Sequence, residues 1–170
     1  MNEKNTTSKP VSFSQVETNE IVQPEDLNIN NTLFGGRLVS WVDKIAAISA
    51  FKHSDMSCVT VSIDHLNFKQ VVPQGSLVTL RASVNRVFNT SLEVGVKVTM
   101  RRGNWGQGES HVCSAYLSFV ALNEEGKKTP PPRVLAETED EKRRFHHAGL
   151  RREARAKLSQ IYSQMKESSK

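Results

Sequence analysis

Fifteen consecutive residues, Arg37 to Phe51, are apolar around most of the circumference of the helix that their spacing predicts. Leu38, Trp41, Val42, Ile45, Ala46, Ile48 and Ala50 recur at three- and four-residue intervals, and Val39, Ala47 and Phe51 widen the stripe. A helix apolar on nearly every side belongs in the middle of a fold rather than on its surface. The rest of the chain must therefore supply walls around it. One residue breaks the pattern: Asp43, a carboxylate in the middle of the run.

Strands are the available walls. Val11 to Glu17, with Val11, Phe13 and Val16 among polar residues, reads as a first strand ahead of the helix. After the helix, Val59, Val61 and Ile63 alternate with Thr60, Ser62 and Asp64; Val78, Leu80, Ala82 and Val84 follow with the same period, as do Leu92, Val94, Val96, Val98 and Met100. Pro73-Gln74-Gly75-Ser76 and the stretch from Gly103 to Gly108 read as turns, and His111 to Leu122 as a last long strand. No crossover helices separate these strands, so the sheet is expected to be antiparallel. The fold class is α+β, with an antiparallel sheet curled around one central helix. A flexible N-terminus over residues 1–10, a sheet domain over 11–129 and a tail over 130–170 complete the expected organisation. Pro130-Pro131-Pro132 opens that tail, and Leu150, Ala154, Leu158, Ile161 and Met165 make it an amphipathic helix.

The formal charge of +5 invites a nucleic-acid reading until it is divided along the chain. Residues 1–137 carry 14 basic and 13 acidic side chains, whereas residues 138–170 carry 9 and 5. The excess belongs to the tail, and no helix-turn-helix or aromatic-plus-basic motif accompanies it, so neither a nucleic-acid nor a membrane partner is expected. Cys58 and Cys113 lack metal-site or redox spacing and sit among alternating apolar residues, as reduced buried thiols would. The chain shows no secretory signal and no apolar run long enough to span a bilayer, so a cytoplasmic setting is the expectation.

Burying a carboxylate is costly unless it is paired or has a function. Asp43 therefore faces solvent, pairs with Lys44 or Arg37, or does chemistry. Gly35-Gly36 favours the last, because glycines let a backbone approach a ligand closely and stand where helix amides lack partners. Such amides could hold the negative charge that develops on a carbonyl oxygen. Asp43 lies two turns further in, roughly 10 Å along the axis at 1.5 Å per residue. A site using both is then completed by another chain, or its substrate lies along the helix. His53, His65, His111, His146 and His147 show no metal-ligand spacing, and Ser40 and Ser91 lack a nucleophile elbow.

Thr32-Leu33-Phe34-Gly35-Gly36-Arg37-Leu38 followed by Trp41-Val42-Asp43 resembles the signature of the hotdog-fold acyl-CoA thioesterases, closest to the cytosolic long-chain acyl-CoA hydrolase type. Val59 to Asp64 with Asn67-Phe68, Thr90 to Val96, and Tyr116 to Leu122 match as well, so the similarity spans roughly residues 12–158. The resemblance implies hydrolysis of acyl-CoA to a fatty acid and CoA. It also implies a dimer whose sheets run on into each other, a site between subunits, and three such dimers in a ring. It gives the catalytic role to Asp43, as water activator or nucleophile, and carbonyl polarisation to Gly36 and the helix start. Thr32 holds a position where some members carry a catalytic asparagine, and Lys44 stands where an acid is usual. Phe34, Gly35, Arg37, Asn67, Thr90 and Ser91 are the expected substrate contacts, Thr90 and Ser91 reaching across from the neighbouring subunit. Arg37, Lys69, Arg101 and Arg102 are candidates for the CoA phosphates. No cofactor and no metal are expected, because CoA arrives as part of the substrate. Two alternatives remain at this point. One is a hotdog hydratase, whose histidine near the helix start is replaced here by Phe34. The other is a non-catalytic acyl-CoA sensor or scaffold with a partner-binding basic tail.

Overall fold

A computed structural model describes residues 7–64, 66–103 and 108–168. His65, residues 1–6 of the polar N-terminus and residues 104–107 of the turn expected from Gly103 to Gly108 lie outside the described residues.

The central helix α2 runs from Gly35 to Ser54, starting on the glycine pair itself rather than after it. Beyond it come strands β3 (Ser57–Ile63), β4 (Leu77–Val87), β5 (Ser91–Arg101) and β6 (Ser110–Leu122). Together with β2 (Val16–Ile21) they form one five-stranded sheet in the order β2-β4-β5-β6-β3. Every neighbouring pair in it is antiparallel. The expected turn at Gly75 is present with φ +75. On the concave face, Val78, Leu80, Ala82 and Val84 of β4, alternate residues from Leu92 to Met100 of β5 and from Cys113 to Phe119 of β6 pack against Leu38, Val42, Ile45 and Ala46 of α2. A hotdog arrangement results, with a helix lying in the curl of an antiparallel sheet.

Three local expectations are corrected. Val11–Ser14 is a single helical turn, α1, and the first strand of the main sheet begins only at Val16. Pro10 opens the turn, and Ser14 is buried where it works hardest: its hydroxyl accepts from the Val84 amide at 2.9 Å and its carbonyl accepts from Ser49 at 2.8 Å. Such side-chain bonds favour a turn over a strand at this point. Ser8–Pro10, expected within a flexible terminus, is instead strand β1, paired in parallel with β7 (Arg133–Leu135). Third, α2 is not covered all round. Arg37, Ser40, Lys44, Ile48 and Phe51 form an exposed stripe, because five strands wrap one side of a helix only.

The tail is a helix, α3, from Glu139 to Ser168. It does not pack through its predicted apolar stripe, since Leu150, Leu158, Ile161 and Met165 stay exposed. Its first half crosses the convex face of the sheet on polar and small residues together with Phe145, whose ring lies 4.4 Å from the Arg86 guanidinium. Glu93 of β5 is fully buried there and takes a two-pronged bond from Arg151 at 2.7 and 3.1 Å, with Asn85 donating at 3.0 Å. The Arg151 guanidinium lies 3.5 Å from the centre of the Tyr116 ring. A Cβ at Gly149 would meet Arg86 at 2.4 Å, so the helix approaches the sheet at a residue without a side chain. Arg155, one turn further along, pairs with Asp64 at the end of β3.

Where β1 and β7 meet the end of α2, His53 is fully buried. Its Nε2 bonds the Pro132 carbonyl at 3.0 Å, its own carbonyl accepts from Lys9 at 2.8 Å, and its Nδ1 has no partner. Burial holds the imidazole below the usual 6.5, partly offset by the bond to Pro132 and reinforced by the charge of Lys9. The unfolded chain therefore takes up this proton first on acidification. The stability that neutral His53 contributes is present above about pH 6.5 and is lost as pH falls from there towards the lower folded value. Thermal midpoints should decline below about pH 6.5, and His53→Gln should remove most of that decline; an unchanged pH profile in the variant would show that other groups set it.

Candidate active site

The loop ahead of α2 is folded around one side chain, Asn28. Its Oδ1 accepts from the amides of Asn30 at 2.8 Å and Thr32 at 3.3 Å, its Nδ2 donates to the Thr32 hydroxyl at 3.0 Å, and its own amide donates to the Thr32 carbonyl at 2.8 Å. Asn31 takes the left-handed conformation, φ 56, that this tight turn requires. The Phe34 amide then donates to the Asp26 carbonyl at 2.8 Å, and Arg37 pairs with the Asp26 carboxylate at 2.9 Å. These contacts deliver the chain to the helix start at a fixed angle.

That start has no cap. The residue before the first turn is Phe34, which has no side-chain acceptor, and the first helical bond is Leu38 N–H to the Phe34 carbonyl at 3.2 Å. The amides of Gly35, Gly36 and Arg37 precede it and are the orphan donors of the helix. Two rings stand beside them: Phe34, half exposed, against Gly36, and Phe68 against Gly35.

Asp43 is half-buried rather than enclosed. It sits at the edge of the open stripe, facing β3, where the Thr60 hydroxyl donates to its Oδ1 at 2.9 Å. Neither proposed ion pair forms, since Arg37 is taken by Asp26 and no salt bridge joins Asp43 to Lys44 among the described residues. A hydroxyl fixes the acid, and no ion pair to it forms among the described residues. Thr60 can reach it because β3 turns its polar residues towards α2 and leaves Val59, Val61 and Ile63 exposed. The strand was legible from its alternation; which face looks inward was not.

The other expected contacts are dispersed. Asn67 and Phe68 lie in the loop after β3, which bonds β6 through the Lys69 amide to Val112 and through Gln70 to His111. The backbones of Thr90 and Ser91 are engaged in the β4–β5 hairpin and with Ala121. No hydrogen bond among the described residues joins them to Asp43 or the helix start. Arg101 is held by Glu109 at 3.3 Å. Seven residues separate Gly36 from Asp43 on an unbroken helix, so the two stay about 10 Å apart. Thr60 and Asn28 carry the geometry and were not singled out from sequence.

Two other places have less claim. A cavity of about 630 Å³ opens between the convex sheet face and α3, but its guanidiniums are already paired, Arg81 with Glu17 and Glu109, Arg143 and Arg144 with Asp140. The cysteines are free thiols. Burial raises Cys58 and takes Cys113 up to about 11, so neither is poised as a nucleophile at neutral pH. Among the described residues no cluster of three or more His, Cys, Asp or Glu is placed to hold a metal. None of their helices is long and apolar enough to cross a membrane.

Known proteins share this arrangement. A family model described as the thioesterase superfamily matches residues 30–104. The uncharacterized acyl-CoA thioester hydrolase YkhA of Bacillus subtilis is 39% identical over 151 residues, covering 89% of this chain and 87% of its own. The chain belongs to the hotdog-fold acyl-CoA thioesterases. An apo-hexameric acyl-CoA thioesterase superposes on this member with a TM-score of 0.85 at 35% identity, covering 90% of this chain and 97% of the other. The acyl-CoA hydrolase of Staphylococcus aureus, solved with butyryl coenzyme A, coenzyme A and coenzyme A disulfide, does so with a TM-score of 0.85 at 34% identity over 93% and 95%. That hydrolase has also been solved as its Asp43Ala, Asn28Ala and Thr60Ala variants. The same residue types carry the same numbers in this thioesterase.

The Thr60–Asp43 bond supplies a direct test. Thr60→Val keeps the shape and removes the only hydrogen bond described to the carboxylate, at a half-exposed edge strand where folding should suffer little. A hydrogen bond to a charged group contributes about 1.5–3 kcal/mol, so kcat/KM for thioester hydrolysis should fall roughly 10- to 100-fold. Wild-type turnover in Thr60→Val would mean that this bond does not orient the acid.

Proposed function

We propose that this thioesterase hydrolyses acyl-CoA at a site built from Asp43 and Thr60 of one chain and the uncapped helix start, with its Asn28-organised loop, of another. The carrying observation is the pair of half-sites on one helix. Each is complete in its own geometry, and together they are too far apart to serve one carbonyl. Exposed Ile48 and Phe51 on α2 and Val59, Val61 and Ile63 on the edge strand β3 fit a second chain extending the sheet. The relative described as hexameric supports assembly as a trimer of such dimers.

In this reading the thioester carbonyl lies against the amides at the helix start. These donors bind more strongly as negative charge gathers on the oxygen, which lowers the barrier rather than merely tightening the substrate. Thr60 occupies Oδ1 of Asp43, and Oδ2 takes a proton from the attacking water or itself attacks the carbonyl. In the first case collapse of the tetrahedral intermediate breaks the carbon–sulfur bond, the proton held by Asp43 passes to the leaving thiolate, and the acyl group leaves as the carboxylic acid. In the second the thiolate leaves first, water then cleaves the acyl–Asp43 anhydride to the carboxylic acid, and the proton left on Asp43 passes to the thiolate. The asparagine that some family members use is assigned to Asn28 rather than to its bonding partner Thr32, supported by the Asn28Ala variant of the Staphylococcus aureus hydrolase. Phe34, Gly35, Arg37, Asn67, Thr90 and Ser91 remain substrate contacts in this proposal, the last two across the subunit boundary. The hydratase and scaffold readings have no observation in their favour.

Asp43→Asn is isosteric and should fold and assemble normally while kcat drops roughly 10²–10⁴-fold, as loss of a general base does. Thiol release measured across acyl-CoAs of increasing length gives the comparison, and near-normal turnover would remove Asp43 from the mechanism. Sharing between chains has its own test. Asp43→Asn and Gly36→Val chains, each inactive alone, should regain about a quarter of wild-type activity when refolded together, because half the random dimers hold one intact site. Background activity in verified mixed dimers would place the whole site on one chain.

A further inference from the structure

Neither glycine at the start of α2 is required by the backbone. Both have ordinary helical torsions rather than the positive φ found at Gly75, Gly103 and Gly126. Glycine is also a poorer helix former than alanine. Space separates the two. A Cβ at Gly35 would lie 3.6 Å from the nearest atom, on the Phe68 ring, an ordinary contact. A Cβ at Gly36 would lie 2.6 Å from Cε1 and 3.0 Å from Cζ of Phe34. Position 36 is therefore glycine because the Phe34 ring occupies the room a side chain would take. Phe34 is also the residue that ought to cap the helix, and a ring can neither accept from the orphan amides nor share them with a carbonyl.

We propose that Phe34 is a positioning residue that roofs the helix start, leaving its amides uncapped for the carbonyl, and that Gly36 is the seat of its ring. A polar cap such as Ser or Asp would stabilise the helix and use up the donors. A phenylalanine leaves them unpaired, ready for the developing oxyanion. The effect falls on the carbonyl, not on the acyl chain. It therefore appears in kcat, to a similar degree for every chain length, with little change in KM. This inference rests on the helix start being the carbonyl site.

The test is a double-mutant cycle in the full-length enzyme. Gly36→Ala retains the amide and displaces only a movable ring, so the protein should be at least as stable as wild type. Gly36→Ala and Phe34→Ala should each lower kcat by roughly tenfold, with KM changing less than about threefold, for short and long acyl-CoAs alike. Combining them should be hardly worse than Phe34→Ala alone, since a displaced ring and a missing ring are the same loss. Phe34→Tyr, which keeps the ring, should retain most of the kcat that Phe34→Ala forfeits, whereas Phe34→Leu should not. Losses that multiply to roughly a hundredfold in the double variant would overturn the proposal, as would single variants with wild-type kcat. Should Gly36→Ala fail to fold, equal kcat in Phe34→Tyr and Phe34→Leu overturns it instead. Failure here is separable from failure of the hydrolytic reading. A cycle without coupling in an enzyme that Asp43→Asn inactivates sinks only the roof, while an active Asp43→Asn sinks the site beneath it.

Discussion

A helix with apolar residues on more than one side cannot be enclosed by five strands that curl around only one of them. That mismatch organises the molecule. The sheet takes Leu38, Val42, Ile45 and Ala46 into the core and leaves Ile48 and Phe51 open. Asp43 stands at the line between the two regions, close enough to the sheet for Thr60 to reach it and close enough to the open side for a substrate to do so. Full enclosure would strand the carboxylate, and full exposure would leave its orientation to solvent. The boundary position gives a charged group that is both held and accessible.

The helix start solves a different problem with the same economy of parts. Orphan amides are usually satisfied by a polar cap, and here that cap is absent. The cost is an unstapled first turn, and the Asn28 buckle, the Asp26–Arg37 pair and the Phe34 amide bond to Asp26 make up for it from outside the helix. Three loop contacts thus do what one serine would have done, without occupying the donors.

Much of this was readable from residue order, and the reason for the remainder is physical. The periodicity of residues 37–51 announced the central helix, the alternation from Leu92 to Met100 announced a strand, and the glycine pair with Asp43 marked the place where chemistry is expected. Alternation reports two faces but not which is inner. On β3 the core took Cys58 and Thr60 and left the valines outside, so the partner of Asp43 was hidden in a strand already recognised. The single turn at Val11–Ser14 depends on what Ser14 bonds 35 and 70 residues away, at Ser49 and Val84. No local pattern carries that information. Likewise the apolar stripe on α3 was visible, while the contact that anchors the helix runs through Arg151 and Glu93, residues that read as surface charge.

That anchor changes how the C-terminal helix should be regarded. Glu93 lies in a central strand with no exposure to water, and its carboxylate is answered by Arg151 and, at 3.9 Å, Arg155 from another element, with Asn85 donating from the neighbouring strand. A chain ending before Arg151 would present the sheet with an unanswered negative charge at its middle, and Asp64 would lose its tie to Arg155 just ahead of the Asn67–Phe68 loop. From Leu158 to Lys166 the same helix is exposed. A fusion or a proteolytic cut therefore meets two different stretches along one continuous helix: an exposed outer third, and an inner part that closes the convex face over Glu93.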